Sequence, residues 1–192
     1  MEHGNTICGV KNCLPILKGV AVVGSAMFAG ISLYIQKVDH PSLASLPNEY
    51  ALSHWRETFK KVAPIQASLA FISGTASLLT FGSIYNSYCR SNVVSRVVED
   101  SVRHCCRCKG LVWLLGGGLM LSIIPYTLLA IQPTNKKLLS KDTDPLDRET
   151  RSMLDAWGEL HSVRTVLSMV ACGTFFFGVF RHAHPYLLTP AR

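Results

Sequence analysis

The chain has 192 residues, enough for one domain. Hydrophobic residues make up 48% and charged residues 16%, against about a quarter charged in ordinary soluble domains. The net charge of +7 lies between long apolar stretches, so it marks segments beside lipid and gives no case for nucleic-acid binding.

Four stretches carry no Asp, Glu, Lys or Arg: Gly19–Gln36, Val62–Cys89, Gly110–Asn135 and Thr165–Phe180. A helix needs about 20 apolar residues to cross the hydrocarbon core. The pattern predicts an all-α, integral membrane four-helix bundle that forms a single domain over residues 1–192. Neither a repeat nor a low-complexity segment is visible.

The first helix is expected over about Pro15–Val38, with Lys18 and Lys37 reaching the two interfaces. Its apolar run is long for a signal peptide, which favours a retained span. Ala26 and Gly30 have the spacing that lets membrane helices approach closely. Asp39-His40-Pro41 is expected to end it, because the residue before proline resists the helical region. Trp55 and Phe59, at i and i+4, suit a short interfacial helix in the first loop.

The second helix is expected over about Val62–Tyr85, with Ala70 and Gly74 as another close-approach pair. The segment 86–109 reads as a basic, cysteine-rich loop. In it, Cys105 and Cys108 have C-x-x-C spacing. A zinc site would need a fourth ligand such as His104 or Cys89, and no second C-x-x-C exists. Juxtamembrane Cys105, Cys106 and Cys108 with basic neighbours also suit acylation, as do Cys8 and Cys13; free thiols are the remaining reading. No metal ligand set is assigned. Cys172 reads as a packing residue.

The third helix is expected over about Gly110–Gln132, tightly packed at Gly116-Gly117-Gly118 and kinked at Pro125. Pro133 is expected to stop it and Asn135 to turn the chain. The fourth is expected over about 152–181. Its uncharged part is too short to span alone, so the span must include Trp157, His161 and Arg164. With four spans, the termini and the cysteine-rich loop share one side, and the thiols place that side in the cytosol.

Trp157, His161 and Arg164 fall at i, i+4 and i+7, on one helical face. Read locally, they are interfacial anchors; read with the topology, they share one mouth of the bundle with His40, Trp55, Phe59 and Asn135. A base, a cation, an amide and aromatic walls then converge.

The runs Ile124-Pro125-Tyr126-Thr127, Pro133-Thr134-Asn135-Lys136-Lys137-Leu138 and Trp157-Gly158-Glu159-Leu160-His161-Ser162-Val163-Arg164 resemble the anthrone oxygenase-like family of membrane proteins. The resemblance covers roughly Gly19 to Gly178 and includes Trp55 to Pro64. It implies a monooxygenase that converts an anthrone-like polycyclic phenol to a quinone with O₂ and no cofactor. It implies His161 as base with His40 as rival, Arg164 and Asn135 toward the oxyanion, and Trp157, Trp55 and Tyr126 as substrate-binding walls. Partners on this reading are membrane lipids, a small aromatic substrate and O₂; the sequence sets no oligomeric state. The alternative is a non-enzymatic small membrane protein that binds lipid or a partner helix. A transporter is disfavoured because no inverted repeat is visible.

Overall fold

The structure, a computed structural model, describes the backbone of residues 3–91 and 99–183 and the side chains of residues 13–87 and 110–180. Among the described residues there are helices and no strands. Inside lipid a backbone must satisfy its own polar groups, and a helix does so within one segment. The elements are α1 (His3–Tyr34), α2 (His40–Ala44), α3 (Asn48–Ser91), α4 (Glu99–Tyr126), α5 (Gln132–Leu139) and α6 (Arg148–Ala183). Single π-helical turns, Ile35–Asp39 and Thr127–Ile131, join α1 to α2 and α4 to α5.

Four helical segments are long and apolar enough to span a membrane: Cys13–Ala44, Asn48–Ser87, Gly110–Leu139 and Arg148–Phe180. The protein is an integral, multi-pass four-helix bundle. The long helices close a ring in which α1 packs on α3, α3 on α4, α4 on α6 and α6 on α1. That leaves α3 and α6 as a diagonal pair.

The helices run further than the sequence pattern predicts. Pro41 and Pro133 do not stop their helices; each sits at the start of a continuing helix, α2 or α5, directly after a π-turn. Proline lacks an N–H and clashes with the carbonyl four residues back, and the wider turn relieves both problems. Trp55 and Phe59 belong to one 44-residue helix rather than to a separate interfacial one. Most of the segment 86–109 is also helical, since α3 reaches Ser91 and α4 begins at Glu99. Charge marks where the lipid ends, whereas the helix needs only continued backbone bonding. The side chains of Cys8, Cys89, His104, Cys105, Cys106 and Cys108 lie outside the described residues, so their readings stand as before.

The core has two apolar layers. One holds Phe28, Ala70, Trp113, Met120, Ile123, Ala171 and Phe175. The other holds Ile35, Trp55, Ile131, Leu138, Leu154 and Trp157. Between them, in chain order on α1, α3 and α6, lie buried Ser32, Gln66, His161, Arg164 and Thr165. A polar stratum is thus enclosed by apolar layers above and below.

Small residues set the helix approach. A Cβ on Gly74 would overlap Leu121, as expected for the Ala70–Gly74 pair. The Ala26–Gly30 pair does not play that part, because Gly30 is exposed and has open space around it. Gly24 does instead, with a Cβ position 3.0 Å from Ser73 Cβ, beside a hydrogen bond of 2.9 Å from Ser73 Oγ to Ala21 O. A Cβ on Gly116 would overlap the Phe175 ring, which is fully buried and stacked on Trp113 at 5.6 Å. Overfilling such a core costs about 1–3 kcal/mol. Gly116→Ala should therefore lower thermal stability in detergent by that amount, while Gly118→Ala, at open space, should not.

Candidate functional site

On α6, Trp157, His161 and Arg164 line up as their spacing predicts, and all three are buried. The indole of Trp157 stacks on His161 at 5.0 Å and on His40 at 6.1 Å, and meets Trp55 edge-on at 5.6 Å. Trp55 in turn stacks on Phe59 at 4.9 Å. Trp157 Nε1 donates 2.9 Å to Asn135 Oδ1. Asn135 is therefore a buried helical residue of α5 rather than a turn former, and its amide NH₂ is the group it can still offer.

Arg164 reaches across the bundle diagonal. Its Nη2 donates 2.8 Å to Gln66 Oε1, and Gln66 Nε2 donates 2.9 Å to Ser32 Oγ. The guanidinium also lies 5.5 Å from the centre of the Phe28 ring. Among the described residues it makes no ion pair. A buried cation held only by neutral partners is costly in a membrane interior. Its Nε has no hydrogen-bond partner.

His161 is 1% exposed, and neither ring nitrogen has a hydrogen-bond partner among the described residues. Leaving a buried polar group unpaired costs about 1–3 kcal/mol, so such groups call for an explanation. Both unpartnered nitrogens belong to a residue that lines a void.

Two cavities adjoin this layer. A void of about 20 Å³ is bordered by Asp39, Trp55, Gln66, Trp157, His161 and Arg164. That is room for about one water-sized molecule. A larger chamber of about 180 Å³ lies between α3 and the α4–α5 segment, with Gln66, Asn135 and Arg164 in its wall. Phe59, Ala63, Gln66 and Arg164 are common to both.

Each π-turn contributes to a cavity wall. Ile35 and Asp39 border the small void, and Thr127 and Leu128 border the chamber. Such bulges recur at functional sites because they displace one wall of an otherwise regular helix. The mouth is clamped by cations on helix ends. Arg56 donates to the carbonyls of Leu138 (2.7 Å) and Ser140 (2.6 Å), and Arg151 to those of Leu43, Ala44 and Leu46.

Two expected residues stand back from the cavities. His40 Nε2 donates 3.0 Å to Leu154 O, and His40 borders neither cavity. It packs where Gly158 leaves room, since a Cβ there would overlap its ring. Tyr126 OH donates 3.1 Å to Leu160 O and is likewise outside both linings. Gln66 and Ser32 escaped the sequence reading. The available signal is Gln66 itself, an amide close to the start of a charge-free stretch.

Comparison with protein-family models matches residues 55–174 to anthrone oxygenase. The chain belongs to the anthrone oxygenase family. The matched segment contains Trp55, Gln66, Tyr126, Asn135, Trp157, His161 and Arg164, while His40 precedes it. Searches of curated proteins and of solved structures return no match. The family segment thus supplies most of α3, all of α4 and α5 and most of α6, and α1 adds Ser32 to its polar layer.

Proposed function

We propose that this chain is an oxygenase that converts an anthrone-like polycyclic phenol to a quinone with O₂, without a cofactor. One observation carries the reading: among the described residues, an imidazole with both nitrogens unpartnered and a guanidinium that makes no ion pair border the same void. That pair is suited to removing a proton from carbon and holding the anion that results.

The anthrone methylene is acidic because its carbanion is also the enolate of the ring ketone. His161 accepts the methylene proton. Arg164 faces the enolate oxygen, with the Asn135 NH₂ as a further donor. The anion passes one electron to O₂, and the resulting radical pair forms a C–O bond. The peroxide takes the proton back from His161 and becomes a hydroperoxide. Loss of the second methylene proton then breaks the O–O bond, leaves a carbonyl and releases water. The carbon gives up four electrons and O₂ takes four, one oxygen atom ending in the quinone and one in water. Trp55 and Trp157 form aromatic walls, and the small void has the size class of dioxygen. Tyr126 and His40 act by holding Leu160 and Trp157 in position.

Gln66→Glu tests the role of the free cation. A carboxylate 2.8 Å from Arg164 Nη2 would pair the guanidinium permanently. The bundle should be retained and anthrone oxidation in nanodiscs should fall at least about tenfold, since the site's positive charge is no longer available to the enolate. Unchanged oxidation in this variant would remove Arg164 from the mechanism. Binding of the aromatic without any turnover by the native chain would favour a non-enzymatic binding protein instead.

A further inference from the structure

We propose that the 180 Å³ chamber is the seat for the aromatic rings, and that it opens sideways into the hydrocarbon of the bilayer between α3 and the α4–α5 segment. This rests on the reading above for the identity of the ligand, a planar phenolic aromatic in anionic form.

The inner wall of the chamber is buried: Phe28, Gln66, Ala70, Ile123, Asn135 and Arg164. Its outer rim is exposed: Ala67 on one helix and Leu128, 60% exposed, on the other. The depth of the rim follows from two independent rulers. On α3, Lys60 and Lys61 end the charged segment, and Ala67 lies six residues further in, about 9 Å along a helix. On the facing wall, Lys136 and Lys137 mark the same boundary, and Leu128 lies eight residues inside Lys136, about 12 Å. Lysines of this kind extend toward headgroups. Both rims therefore lie within the hydrocarbon, and a ligand leaving through them enters lipid rather than water.

The chemistry of the wall selects the occupant. Apolar side chains and small alanines make most of the lining, its buried polar residues are Gln66, Asn135 and Arg164, and half-buried Thr127 and Gln132 add polar groups to the same wall. A flat apolar body with one ionised oxygen fits that distribution. Size adds a constraint. A cavity of about 150 Å³ takes one benzene ring, so this chamber encloses about one ring, and the remaining rings of a polycyclic lie in the mouth between Ala67 and Leu128. A terminal ring is the enclosed one, with the ionised oxygen turned to the buried polar wall. The reacting edge then sits where the chamber and the small void share Phe59, Ala63, Gln66 and Arg164. Ala67 becomes a specificity-determining residue, because its side chain sets the width of the mouth.

The test uses the full chain in nanodiscs with emodin, a three-ring hydroxylated quinone, read by saturable quenching of tryptophan fluorescence. Native protein should bind emodin. Ala67→Phe, which narrows the mouth from an exposed position that tolerates bulk, should weaken binding at least tenfold, and Leu128→Trp on the opposite rim should do the same. Ile72→Phe, at an exposed position of α3 outside both cavities, should bind as the native chain does. Native-like binding in both rim variants, or no saturable binding by the native chain, would overturn the proposal. Binding that both rim variants abolish, in a protein that does not oxidise emodin anthrone, would uphold the chamber and reject the oxygenase reading. Oxidation that both rim variants leave unchanged would reject the chamber alone.

Discussion

His161→Leu should leave the bundle at least as stable as the native chain and lower anthrone oxidation by about 10²–10⁴-fold, the range expected for loss of a positioned base. The two effects diverge because the His161 side chain gives the fold no hydrogen bond. Both ring nitrogens are buried and have no partner among the described residues, so the imidazole is held by packing, with Trp157 stacked on it. An apolar side chain of similar size keeps the packing and removes an unsatisfied group worth about 1–3 kcal/mol. Gain of stability with loss of activity is the usual mark of a group retained for function. A thermal melt and a product assay on the same nanodisc preparation check both halves. A variant that loses stability and activity together would make His161 a structural residue.

Arg164→Gln should lower oxidation by about 10²–10³-fold, as removal of an oxyanion donor does elsewhere, and should also weaken the fold. Arg164 differs from His161 in having a partner: its bond to Gln66 crosses the diagonal between α6 and α3 and continues to Ser32 on α1. Hydrogen bonds to charged groups contribute about 1.5–3 kcal/mol, so part of the loss is structural. Arg164→Lys separates the contributions. It keeps the charge and loses the planar fork. Oxidation should recover partly in the lysine variant relative to the glutamine variant, measured as initial rates at equal amounts of folded protein. Equal rates in the two variants would show that charge is not what the site requires.

Much of this arrangement is legible in the sequence for a simple physical reason. Charges are excluded from hydrocarbon, so the charge-free stretches mark the four spans. Helical periodicity alone puts Trp157, His161 and Arg164 on one face. An even number of spans brings Asn135 and Trp55 to the same end. What escaped detection lacks a charge or breaks a local rule. Gln66 is neutral and sits near the start of a charge-free run, yet it is the partner of Arg164. Pro41 and Pro133 read as stops, because the sequence does not announce the π-turns that carry the helix past them. Asn135 reads as a turn residue until a tertiary partner, Trp157, supplies the hydrogen bond that a turn would otherwise provide. His40 reads as a second base, and the sequence does not announce its bond to Leu154 O or its stack on Trp157, outside both cavities.

The family relationship and the geometry address different questions. Membership rests on residues 55–174. The case for chemistry rests on two features of the polar layer, the unpartnered imidazole and the uncompensated cation, enclosed between two apolar layers. An apolar surround strengthens any electrostatic interaction inside it.

The most direct test is simultaneous recording of O₂ uptake and quinone formation from emodin anthrone, comparing nanodiscs that hold the native chain, nanodiscs that hold His161→Leu, and empty nanodiscs. The account predicts one O₂ consumed per quinone formed, at a rate about a hundredfold or more above empty discs, with His161→Leu returning to the empty-disc rate. A native chain no faster than empty discs, or a His161→Leu variant as fast as the native chain, would contradict it.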